Sequence, residues 1–231
     1  MTSKYTTKTS KIQPARNNIT ITQIKQEIEK EWRFFPPFLA PALSMPQVLH
    51  NLWHQTIFAY LKNPLPALFK EKLFVYLSRL SSTPYFIVCH SCTLYSLGMT
   101  GAEIAQLLQL SLPQTQTDLE ADLKILNRHT SPHHNWQPNS TVETSLLRSI
   151  AFLFAKPHQA EYIRLVVRQF LGAAKYSHLM ALLSYIKACH QWTDNYPEIS
   201  YKQDSRVKLS LAPLIMEEPS ITGLFNQLSS E

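Results

Sequence analysis

The chain has 231 residues, 45% of them hydrophobic and 16% charged, with a formal net charge of +6. No apolar run approaches the roughly 18 residues that span a bilayer, and four glycines are too few for a Gly-rich phosphate loop or a Rossmann-type turn; a membrane-spanning protein and the common nucleotide-binding folds are excluded. The positive charge is local, because Lys4, Lys8, Lys11 and Arg16 stand without an acid in residues 1–16 while eighteen basic residues face sixteen acidic ones elsewhere, which describes a solvated tail and not a nucleic-acid groove.

Residues 1–17 form that basic tail, and they lack the apolar centre of a secretory signal, which predicts a cytoplasmic protein with reduced thiols. From 18 to 231, helical periodicity recurs and the fifteen prolines fall mainly near segment edges. That pattern predicts one all-α domain of nine to eleven helices. The first helix covers 20–33. It runs into "WRFFPPFLAP", where Trp32, Phe34, Phe35 and Phe38 form an apolar connector that either covers the bundle or crosses to another subunit. Helices follow at 46–61, 66–80 and 84–97. Thr83-Pro84 is predicted to cap the last of these, and Gly98 to end it. Thr100 to Glu103 fits a capping box, with Met99 and Ile104 placed to staple across it, opening a helix over 101–110. Another covers 117–128. The stretch "RHTSPHHNWQPNST", 128–141, has no apolar period and is predicted to be an exposed loop between a motif-bearing half and a C-terminal half. Helices at 141–156, 159–171, 174–193, 205–216 and 220–229 complete the chain.

The segment "CHSC" holds two of the three cysteines, Cys89 and Cys92, around His90. At i and i+3 they share a helical face, but they lie in the second and third turns, beyond the reach of the positive helix end that activates a thiol. Small buried side chains are the simpler reading of both. A metal would need further ligands from Cys189, His190, His50, His54 or the His129/His133/His134 loop, and no spacing among these fixes a geometry, so neither a metal nor a cofactor is expected. Leu179, Leu182, Leu183 and Ile186 have core spacing, and His190, Trp192, Tyr196 and Pro197 suggest a helix end docking on the body.

Counting back eight positions from Gly98 reaches His90, and Glu71 lies twelve positions before Thr83. In this spacing the segment resembles the alkyl hydroperoxidase D-like (AhpD-like) and carboxymuconolactone decarboxylase superfamily, with the likeness concentrated in residues 46–110. The family histidine falls on His90 and the upstream glutamate on Glu71. The two redox cysteines fall on Thr83 and Phe86. Cys89 and Cys92 are out of register by six; aligning them instead would put Ser96 at the histidine and stretch the Glu71 spacing to eighteen. The resemblance implies an AhpD-like bundle that oligomerises, with the cluster near a subunit interface. It also implies that ordinary family peroxidase chemistry is lost, since neither Thr83 nor Phe86 carries a thiol.

Three functions follow as expectations. The first is a non-redox binding, sensor or structural module, with Thr83, Tyr85 and Phe86 lining a pocket for a small apolar ligand or filling it, and possible signalling partners. A second is a thiol enzyme in which Cys89 or Cys92 works beside His90, although adjacent helical residues point about 100° apart. The third is acid–base chemistry by Glu71 and His90 in the manner of the decarboxylase branch. Neither nucleic acid nor membrane is expected as a partner.

Overall fold

A computed structural model describes residues 19–129 and 136–228, and every described element is helical. In chain order these are α1 (Ile21–Trp32), a 3-10 segment (Pro37–Ser44), α2 (Pro46–Gln55), a π-helix (Thr56–Leu61), α3 (Ala67–Leu80), α4 (Pro84–Ser96) and α5 (Gly101–Gln109). A short 3-10 turn leads into α6 (Glu120–Arg128), followed by α7 (Thr141–Ala155), α8 (Glu161–Asp194), α9 (Ser205–Glu217) and α10 (Ser220–Leu228). The all-α expectation holds. Among the described residues, no helix is long and apolar enough to cross a membrane. The basic tail, His133 and His134 lie outside the described residues.

Helix α3 is the axis of the molecule. It is buried without interruption from Phe69 to Ser78, because α4, α5, α7 and α8 all pack on it. Helix α4 lies between α3 and α9. Helices α6, α7 and the first part of α8 form a second layer, while α1, α2 and the 3-10 segment Pro37–Ser44 close the other side. Phe38 of that segment is buried, with its ring 5.9 Å from that of Phe86. The indole N–H of Trp192 donates to the Phe38 carbonyl at 2.8 Å. The aromatic connector therefore covers the bundle of its own chain, and the end of α8 docks on it.

Several local details differ from the sequence expectations. Thr83 occupies the N-cap position of α4, but its hydroxyl makes no cap bond and donates to the Ser81 carbonyl at 3.2 Å; Pro84 at the first position is what sets the helix start. Gly98, at φ 94°, ends the helix as predicted, and the Thr100–Glu103 capping box is complete. The predicted helix 46–61 divides at Thr56, whose hydroxyl bonds back to the Leu52 carbonyl at 2.8 Å, and continues as a π-helix. The predicted helices 159–171 and 174–193 run together as α8, broken at Gly172 with φ 74° and ψ 163°. That conformation is essentially restricted to glycine.

Candidate functional site

The "KEK" run on α3 looks like a solvated charge cluster, yet Lys70, Glu71 and Lys72 are all buried. Each points a different way, as a step of about 100° per residue requires. Lys70 donates to the carbonyls of Tyr60 at 2.6 Å and Asn63 at 3.0 Å, satisfying the end of the π-helix. Lys72 crosses to α7 and pairs with Glu143 at 2.5 Å and with the Asn139 side chain at 2.6 Å. Glu71 faces α4, where its Oε2 lies 2.7 Å from His90 Nδ1. Its other oxygen accepts the Tyr60 hydroxyl.

The structure thus brings Glu71 and His90 together and adds Tyr60, presented by the π-helix. Burial alone would raise the Glu71 carboxyl, but the His90 imidazole and the Tyr60 hydroxyl carry it below its usual range. Burial pulls His90 down, and Glu71 restores only part of the loss. Burial and the adjacent carboxylate push the Tyr60 phenol well up. The resulting state is an ionised Glu71 accepting from two neutral donors, Tyr60 O–H and His90 Nδ1–H, which leaves His90 Nε2 unprotonated.

Aromatic rings enclose this trio. Phe74 stacks on His90 with centroids 3.9 Å apart and planes 9° apart. Phe86 lies 5.1 Å from Phe74, 5.8 Å from His90 and 5.8 Å from His190. Thr83, Tyr85 and Phe86 are each no more than 2% exposed. Among the described residues, the linings of five well-formed surface pockets do not include Glu71, His90, Thr83, Tyr85 or Phe86. Of the two outcomes expected for Phe86, a lined cavity or a filled one, the packing favours the filled one. Tyr85 points to α9, donating to Asp204 Oδ2 at 2.7 Å.

Cys89 and Cys92 are fully buried. Both lie near Asp204 and Arg206, at the start of α9. Burial pushes the Cys89 thiol well up, with nearby Arg206 opposing and Asp204 reinforcing the shift; Cys92 is pushed up to about 12, again chiefly by burial. Cys189 behaves the same way, at about 12. Asp204 and Arg206 form a two-pronged pair at 2.9 Å, with the guanidinium over the Phe34 ring. His50 and His54 have ring centroids 4.4 Å apart on α2. Among the described residues, no group of three or more His, Cys, Asp or Glu side chains is placed to hold a metal. His190 is buried behind Phe86, with Nε2 bonded to Ser78 at 2.8 Å and Nδ1 without a partner.

Sequence reasoning missed Tyr60, the Asp204–Arg206 pair and the Lys72–Glu143 pair. Two carried a signal: Asp204 directly precedes a predicted helix, and Ser140-x-x-Glu143 matches a capping box. Tyr60 carried none, because its role depends on the π-helix.

No family model, curated protein or solved structure matches this chain.

Proposed function

We propose that this chain is a non-redox module built on an AhpD-like plan, in which the Glu71–His90 pair persists as an internal polar link and the thiol positions have been given over to packing. The observation that carries this is Phe86. Its ring stands beside His90, where the resemblance would place the attacking thiol. The cysteines that do occur are buried near Asp204 and Arg206, with pKa values raised by burial, and a thiol, unlike a thiolate, is a poor nucleophile. Peroxide reduction coupled to a dithiol donor, with intact-mass analysis of the same samples, tests this. No consumption above the protein-free rate and no sulfur oxidation are expected; turnover that disappears in Cys89→Ser/Cys92→Ser would restore the thiol-enzyme reading.

One observation favours a second reading. The 2.7 Å bond that holds His90 Nδ1 against Glu71 leaves Nε2 as a base, the arrangement that acid–base catalysis on a small lactone acid would use. The close packing of Phe74 and Phe86 around the imidazole ranks it below the first.

A further inference from the structure

The break at Gly172 gives α8 two arms, and a pocket of about 250 Å³ opens where both meet the end of α7. Its apolar lining comes from Leu153, Phe154, Met180 and Leu183, while Arg164 on the first arm and Lys187 on the second supply its charge. Arg164 is held by a 2.7 Å bond from its guanidinium to the Pro157 carbonyl, and the Lys187 ammonium lies 5.5 Å from the Phe154 ring centroid. Both cations are exposed, and among the described residues neither forms an ion pair with a carboxylate. The reason lies in the sequence: from Thr144 to Thr193 the only acid is Glu161, against six Lys and Arg residues. The chain therefore builds an apolar pocket edged by two cations and offers them no counter-charge of its own.

We propose that this pocket binds a small monocarboxylate with an apolar body, a six-carbon alkyl or a benzene-ring acid. Arg164 and Lys187 hold the carboxylate, the Ser184 hydroxyl in the lining is available as a further donor, and the apolar body lies on Phe154, Met180 and Leu183. The volume falls just below the roughly 300–1,000 Å³ of ligand pockets in general, which favours a small acid over a nucleotide or a long-chain lipid. This site is separate from Glu71 and His90, so it stands or falls independently of the non-redox reading.

The five methionines include one, Met180, in the pocket. The test is a titration of the full chain, labelled with 13C at the methionine methyls, with hexanoate and benzoate at low ionic strength and with hexanol as the uncharged control. Binding should shift the Met180 resonance saturably and leave Met45, Met99 and Met216 in place. Arg164→Gln and Lys187→Gln should each weaken the response roughly ten-fold, as loss of a charged hydrogen bond does. Both substitutions are at exposed positions, and unchanged circular dichroism checks that the variants remain folded. An unmoved Met180 with both acids, an equal response to hexanol, or undiminished binding by the two variants would each overturn the proposal.

Discussion

Glu71 and Lys72 are neighbours on α3, and both are buried in hydrogen-bonded pairs, yet their surroundings differ. Lys72 and Glu143 form an ion pair at 2.5 Å and line a surface pocket of about 240 Å³ that Asn139 and Glu103 also border. Glu71 has two neutral donors instead, and rings of Phe74, Phe86 and Tyr60 surround its histidine. A charge can be kept inside a protein by an opposite charge or by donors that leave the net charge of one group intact. The first arrangement fails badly when one member is removed. The second tolerates a neutral substitute, because its bonds do not depend on a countercharge.

The largest effects should come from the packed side and from the charged pair. Phe86→Ala is expected to cost about 3–5 kcal/mol through the cavity left among Phe38, Phe74 and His190, measured by urea unfolding. Lys72→Met should cost a similar amount, roughly 3–5 kcal/mol, because the buried Glu143 side chain loses its ion-pair partner. Equal tolerance of Lys72→Met and Glu71→Gln would break the comparison.

Acid should act mainly through the histidines. Burial holds His190 down to about 3, against an ordinary value of 6.5. The unfolded chain thus takes up a proton that the folded chain refuses, and stability falls as pH drops from about 6.5 toward 3. His90 is shifted in the same direction. Glu71 adds a further loss only below its ordinary 4.5, since its folded pKa is depressed. Unfolding free energies measured between pH 7 and 4 should decline by a few kcal/mol, and His190→Gln should flatten the decline. Gly172→Ala is next, with an expected cost of roughly 1–3 kcal/mol, because φ 74° with ψ 163° is closed to a side chain. Glu71→Gln should cost least, about 1 kcal/mol, since an amide oxygen still accepts one of the two donors. A larger loss would show that the ionised carboxylate itself matters.

The sequence carried the helices well and the charges poorly. Proline and glycine punctuation placed both ends of α4, and the capping box at Thr100 located α5, because those signals act through local backbone geometry. Burial of "KEK" was not legible. Three consecutive charged residues resemble a solvated face unless each partner is known, and those partners, Tyr60, His90 and Glu143, lie 10, 19 and 71 positions away from the residues that they meet. The meeting of Glu71 with His90 was anticipated only through the family spacing. Tyr60 could not be anticipated, since an ordinary α-helix over 46–61 would have turned it differently from the π-helix that presents it.

On the proposed reading, Glu71 and His90 are the retained half of a thiol site whose other half became packing. Peroxide consumption by Thr83→Cys/Phe86→Cys, coupled to a dithiol donor, tests it most directly. Turnover absent from the parent chain is expected to appear in the double variant and to be lost again when His90→Gln is added. A folded double variant whose new thiols stay inert toward peroxide would contradict it.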